Sequence, residues 1–135
     1  MRVVFTNGCF DLLHPGHVNY LEDARKMGDI LVVGLNSDDS VRRLKGAPRP
    51  INKLSDRACM LSALRTVDLV VPFSEETPIN LIRTLLPDVL VKGGDYMPDD
   101  IVGAEEVRKA GGEVVVVPFM GGYSSSTLID RIKNL

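Results

Sequence analysis

Both histidines of the chain fall three positions apart, at His14 and His17, in the stretch Thr6-Asn7-Gly8-Cys9-Phe10-Asp11-Leu12-Leu13-His14-Pro15-Gly16-His17. An HxGH core that opens a helix puts two imidazoles, about one turn apart, beside the free N–H groups of the helix start. Such a start attracts anions, and imidazoles can donate hydrogen bonds to phosphoryl oxygens as charge builds on them. Gly16 leaves the backbone open to close approach. The competing reading of either histidine is a cap or satisfied core residue. A zinc site of His14, His17 and Cys9 is a second rival, but no further ligand cluster accompanies these residues.

Three further segments carry chemistry. Between positions 42 and 65 lie seven basic residues (Arg42, Arg43, Lys45, Arg49, Lys53, Arg57, Arg65) against a single acid, Asp56. The whole chain is at −2, so a basic segment on an acidic protein suits a small phosphorylated ligand better than nucleic acid. Arg57 and Arg65, eight apart on an expected helix, would point the same way and could grip separate phosphates. Surface ion pairing is the plainer alternative. Val91-Lys92-Gly93-Gly94-Asp95-Tyr96 offers tight backbone approach and a carboxylate, although Gly-Gly-Asp is also a common turn. Gly121-Gly122-Tyr123-Ser124-Ser125-Ser126-Thr127 opens the last helix with a row of hydroxyls suited to phosphate; a plain N-cap accounts for one serine. Asp11 and Asp38 could orient a ligand or help hold Mg²⁺, with turn and cap roles as alternatives.

These segments need a scaffold that brings them together. Short apolar runs at 2–6, 30–35, 69–72, 89–91 and 113–117 read as strands, and they are continuously apolar, as in a parallel sheet buried on both faces. Helical patterns at 15–27, 37–44, 55–65, 78–86, 103–110 and 124–135 alternate with them. Pro78 sits at a helix start, Ser55 can serve as a cap, and Gly28 and Gly111 act as stops. The expected fold is α/β: one Rossmann-like domain over 1–135, a doubly wound parallel five-stranded sheet with helices on both faces. Ligands of such sheets bind beyond the carboxyl ends of the strands, where 7–17, 36–38, 92–96 and 120–126 fall.

With 135 residues, 44% hydrophobic and 25% charged, the chain has the make-up of an ordinary globular domain, without a span-length apolar run. Two well-separated cysteines, no CxxC pair and no secretory h-region at the start lead to the expectation of a cytoplasmic protein with no membrane or nucleic-acid partner.

Together, the HxGH loop and the Ser-rich start of the last helix resemble the cytidylyltransferase-like nucleotidyltransferase superfamily, whose plan residues 3–132 follow. Within it the chain is most similar to the adenylyltransferases that make ADP-activated heptose. The stretches that carry this are TNGCFDLLHPGHVNYL at 6–21, GLNSDDSVRRLKG at 34–46, VKGGDY at 91–96 and IVGAEEVRKAGGEVVVVPF at 101–119. The resemblance implies transfer of AMP from ATP to a heptose 1-phosphate, with Mg²⁺ carried on the ATP phosphates rather than by a protein cluster. It implies catalytic roles for His14, His17, Lys45 and Arg57. Nucleotide contacts would come from Asn7, Gly8, Cys9, Phe10, Asp11, Gly16, Lys92, Gly94, Asp95, Ser124, Ser125 and Ser126, and acceptor contacts from Asp38 and Arg65. It also implies a homodimer, and a separate heptose kinase in the route. The chain departs from some relatives in lacking a basic residue over 119–123. Glycerol-3-phosphate cytidylyltransferase chemistry, a non-catalytic nucleotide-binding module and a flavodoxin-like carrier are the alternative readings.

Overall fold

The computed structural model describes residues 1–135. Five strands, β1 (Val3–Gly8), β2 (Ile30–Asn36), β3 (Leu69–Phe73), β4 (Val89–Gly93) and β5 (Glu113–Val117), form one sheet in the order β3-β2-β1-β4-β5. All neighbouring pairs are parallel. Six helices connect them: α1 (Pro15–Arg25), α2 (Asp38–Lys45), α3 (Leu54–Ser62), α4 (Ile79–Leu85), α5 (Ala104–Lys109) and α6 (Ser125–Lys133), with a 3-10 turn at Pro98–Asp100. No helix is long and apolar enough to cross a membrane.

Alternate side chains of the strands feed two cores. Val4, Leu31, Val33, Val89 and Val91 pack with Leu21 and Ala24 of α1 and Leu61 of α3 on one face. Phe5, Val32 and Leu90 pack with Ile82 of α4 and with Ala104 and Val107 of α5 on the other. Each central strand is thus covered on both faces, which is why these strands read as unbroken apolar runs.

The helix starts follow local chemistry. His14 caps α1 in extended backbone, its side chain accepting from the His17 N–H, with Pro15 next. Ser37 caps α2 by accepting from Ser40 N–H, and Asp38, Asp39 and the closing Arg42, Arg43 and Lys45 match the helix dipole. Two expectations fail. α3 starts from Lys53 with no side-chain cap, not from Ser55, and it ends at Ser62, three residues short of Arg65. On α1, Val18 is exposed.

The strand order reverses between β1 and β4, and there the sheet opens. β1 pairs with β2 along its whole length, from Val3–Ile30 to Gly8–Leu35. It pairs with β4 only at Val4–Val89 and Phe5–Leu90. Beyond that point the Tyr20 hydroxyl of α1 spans the gap: it donates to the Val91 carbonyl at 3.2 Å and accepts from Thr6 Oγ1 at 2.6 Å. Burial pushes the Tyr20 phenol up to about 12, so it stays protonated and able to donate. Tyr20→Phe removes both bonds while keeping the ring, and stability should fall by about 1–2 kcal/mol. Urea unfolding should show the midpoint move with an unchanged slope.

Candidate active site

The crevice left by β1 and β4 widens into a cleft of about 920 Å³ at the carboxyl edge of the sheet. Of the residues expected from sequence, Asn7, Gly8, Cys9, Phe10, Asp11, His14, Gly16, His17, Lys45, Lys92, Ser124, Ser125 and Ser126 all line it. These positions span the chain from residue 7 to 126, so only the fold brings them together.

The two imidazoles form one stacked unit, centroids 3.8 Å apart and planes 21° from parallel. Tyr123 stacks on the outer face of His14 at 5.9 Å, and the Phe10 ring lies 5.2 Å from His17. A side chain at position 16 would meet the His14 ring at 2.9 Å, so only glycine fits there. His14 Nδ1 accepts from the His17 N–H at 3.3 Å. Its proton therefore sits on Nε2, the nitrogen available to a ligand. His17 Nδ1 is buried without a partner, which leaves Nε2 as the working nitrogen of that ring too. Burial holds both imidazoles below their usual range, and His17, with His14 beside it, is lowered to about 4. At pH 7 both are neutral. An anion in the cleft opposes that desolvation and favours protons on both rings.

The start of α6 is stitched to the same loop. Ser125 Oγ donates to the Leu12 carbonyl at 2.9 Å and accepts from Leu12 N–H at 3.4 Å. Ser124 caps the helix by accepting from Thr127 N–H. The helix starts of α1 and α6 thus open into one cleft.

Lys45, Arg49 and Lys92 line the cleft as cations. Lys45 and Lys92 have no carboxylate within ion-pair distance. Burial lowers the Lys92 ammonium from its ordinary value, and its Nζ lies 5.5 Å over the Tyr96 ring. Burial likewise raises the Cys9 thiol, against the pull of Lys45, Arg57 and Arg49, so it is not a thiolate nucleophile at neutral pH.

Five expected residues fall elsewhere. Arg57 is 1% exposed. Its Nη1 donates to the carbonyls of Cys9 (2.9 Å) and Asn36 (2.8 Å), its Nε to Asn52 (2.9 Å), and its Nη2 to Asp38 Oδ1 (2.7 Å). A guanidinium so committed does not reach a substrate; it ties together the loops that do. Asp38 is its ion partner and lies outside the cleft lining. Arg65 is exposed and off the helix, where the chain turns into the amino end of β3, away from the carboxyl edge. Asp95 is exposed beside the cleft lining, and Gly94, at φ +108°, is packed under the Phe119 ring. Asp11 lines the cleft, yet its carboxylate is already engaged. It accepts from Ile51 N–H (2.8 Å), Asn52 N–H (2.9 Å) and Arg49 Nε (2.8 Å). Those bonds hold its acid below the usual range despite burial.

The sequence does not reveal Tyr20, Arg49 as a lining residue, Glu76, Thr77 or Phe119, whereas Met120 falls in the expected segment 120–126. Of these Arg49 and Glu76 carry a signal, their charge. No three His, Cys, Asp or Glu side chains converge as a metal-holding group. The zinc arrangement of His14, His17 and Cys9 is therefore not formed.

This geometry makes two outcomes measurable. Arg57→Met, which strips donors from three carbonyls and a carboxylate, should cost about 3 kcal/mol or more, while Arg65→Ala should stay within about 0.5 kcal/mol; urea midpoints compare them. Between the ordinary histidine pKa near 6.5 and the His17 value of about 4, the unfolded chain binds more protons than the folded one. Stability is therefore lost as pH falls through that window. The melting temperature should drop from pH 7.5 to pH 4.5, and His17→Gln should flatten the drop.

The family model described as Cytidylyltransferase-like matches residues 5–131. The Bifunctional protein HldE of Photorhabdus laumondii is 60% identical over 133 residues, 98% of this chain. That of Haemophilus influenzae is 57% identical over 134 residues, 99% of this chain. The chain spans 28% of the length of each. Among solved structures, the lipopolysaccharide core biosynthesis protein of Thermoplasma volcanium matches with a TM-score of 0.71 at 30% identity, over 89% of this chain and 97% of that one. On a family match over nearly its whole length, joined to the HxGH loop, the β1–β4 crevice and the serine-capped last helix, the chain belongs to the cytidylyltransferase-like family of nucleotidyltransferases.

Proposed function

We propose that the protein transfers the AMP group of ATP to D-glycero-β-D-manno-heptose 1-phosphate, forming ADP-heptose and pyrophosphate. The observation that carries this reading is the convergence, in one cleft, of two neutral imidazoles, two helix starts and the unpaired ammonium groups of Lys45 and Lys92. That is a site for a polyphosphate whose charge shifts during reaction. The similarity to the HldE proteins and to a lipopolysaccharide core biosynthesis protein supports this choice of acceptor.

In the proposed reaction an oxygen of the sugar 1-phosphate attacks the α-phosphorus of ATP in line. The bond from that oxygen to Pα forms, the bond from Pα to the bridging oxygen of Pβ breaks, and pyrophosphate leaves with the electron pair. A phosphate oxygen is already anionic near pH 7, so the site needs no strong base, and Cys9, held as a thiol, is not required as a nucleophile. Catalysis then rests on positioning and on meeting developing charge. Nε2–H of His14 and Nε2 of His17 serve the phosphoryl oxygens, the N–H groups at the starts of α1 and α6 add fixed positive dipoles, and Lys45 and Lys92 supply full charges. Mg²⁺, held by the ATP phosphates rather than by a protein cage, would neutralise charge on the leaving pyrophosphate. The acceptor's own phosphate must be installed by a sugar kinase, which accords with the word bifunctional in the names of the longer relatives.

The test is pyrophosphate release with Mg²⁺, crossing ATP and CTP against heptose 1-phosphate and glycerol 3-phosphate. Release with ATP and heptose 1-phosphate alone is expected; release only with CTP and glycerol 3-phosphate would overturn the substrates and keep the chemistry. His17→Ala should lower kcat about 10²–10³-fold, the scale of losing one transition-state donor, and unchanged turnover would remove His17 from the mechanism.

A further inference from the structure

One cation in the cleft is built differently from the others. Arg49 is only 13% exposed along its side chain, and its Nε donates to Asp11 at 2.8 Å. Asp11, 4% exposed, is itself fixed by the N–H groups of Ile51 and Asn52. The guanidinium is therefore clamped by one nitrogen. Its two amino groups donate to nothing within the chain, and neither is sealed from solvent without a partner. Arg49 itself lines the cleft. A planar fork with two free donors, pre-oriented by a buried carboxylate, is a phosphate grip in waiting, because little side-chain entropy remains to be lost on binding.

The position of Arg49 says which phosphate. The wall built from β5 and the loops after β4 and β5 is apolar and aromatic, with Tyr96, Val117 and Phe119, and suits a base. The imidazoles and the serine row occupy the starts of α1 and α6. Arg49 belongs to the other wall, beside Lys45 at the end of α2, where Glu76 and Thr77 after β3 also line the cleft. Lys45 and Arg49 line the cleft together with Cys9, and both charges pull its thiol down, as that of Arg57 does. Cations for a phosphate dianion next to a carboxylate and a hydroxyl for sugar hydroxyls make an acceptor wall.

We propose that Arg49 holds the phosphate of the acceptor, a sugar 1-phosphate, and so sets acceptor affinity in the reaction. This rests on the reading under Proposed function. The experiment measures KM for heptose 1-phosphate and for ATP separately by pyrophosphate release, with wild type, Arg49→Gln and Arg49→Lys, and the melting temperature of each. Glutamine can still donate once to Asp11 but lacks the second nitrogen; lysine keeps charge without the fork. The expected result is an acceptor KM raised about 10–100-fold in the glutamine variant, the scale of charge-assisted hydrogen bonds, with the ATP KM within about threefold. Lysine should fall between. An unchanged acceptor KM overturns the proposal, as does an equal rise in both KM values, which is what a loop held only for structure would give. A rise confined to ATP assigns Arg49 to the nucleotide and also overturns it. Should the glutamine variant fail to fold, the lysine variant decides by the same ratio. A wild-type protein inactive with every sugar 1-phosphate removes the reaction reading itself, whereas an active wild type with an indifferent Arg49 variant removes only the arginine's role.

Discussion

The carboxyl edge of the sheet depends on one buried guanidinium. Arg57 collects the carbonyls of Cys9, Asn36 and Asn52, which belong to the loop after β1, the end of β2 and the entry to α3. Carbonyls that end strands at a site have no ladder partners and would face a dry interior unpaired, at a cost of about 1–3 kcal/mol each. A single planar donor with five N–H groups can satisfy several at once and fix their spacing. Lysine has neither the reach nor the fork. Asp38 supplies the counter-charge from the start of α2, so the helix that ends in Lys45 is tied to the same hub. The positions of Cys9, Asp11, Lys45 and Arg49 thus share one origin.

A second constraint comes from the sheet. A parallel sheet whose order reverses has to separate a pair of neighbouring strands, and the groups exposed by that separation must be satisfied. Tyr20 does this for Thr6 and Val91. The crevice is therefore held at a fixed width by a side chain rather than left to close. The electrostatics are arranged in the same spirit. Two histidines kept neutral and two ammonium groups kept without counter-ions are unfavourable in an empty cleft, and a polyanion relieves all four. Stability given up by the unliganded fold returns as binding energy and, where the charge grows, as rate.

The fold is legible in the sequence because each level agrees with the next. Unbroken apolar runs such as ILVVGL, stops such as Gly28 and the Thr77-Pro78 start all fit a doubly wound sheet, and the order of strands puts the HxGH loop at the switch point. The loops that follow strands can be read as site for the same reason. What the sequence hides are long-range polar pairings. Asp11 looks like a ligand group, and Arg57 a phosphate grip, because charge is visible in sequence while its partner 38 or 19 residues away is not. Arg65 misleads through a boundary: a helix expected to 65 stops at Ser62, and no glycine or proline marks the stop. Tyr20 and Phe119 stay hidden because an aromatic at helix or loop spacing reads as core.

The buried and the cleft-facing arginines divide two tasks that the sequence presents as one basic segment. An arginine committed to three backbone carbonyls and a carboxylate cannot change partners during a reaction without breaking the loops it holds. It is suited to rigidity. An arginine held by a single nitrogen keeps the rest of its donors for something that comes and goes. Arg57 and Arg49 stand at these two limits, and Asp11 distinguishes them: by engaging Arg49 and the N–H groups of Ile51 and Asn52 at once, it binds the basic loop into the scaffold while leaving two amino groups outside it. The loop over 119–123, in contrast, brings no charge. On the proposed reading the pyrophosphate end of ATP then meets serine hydroxyls and helix N–H groups rather than an arginine, a neutral seat from which a highly charged product can leave. On the same reading, Arg49 grips on the wall where the acceptor would wait, and serine hydroxyls and N–H groups lie where the product would depart.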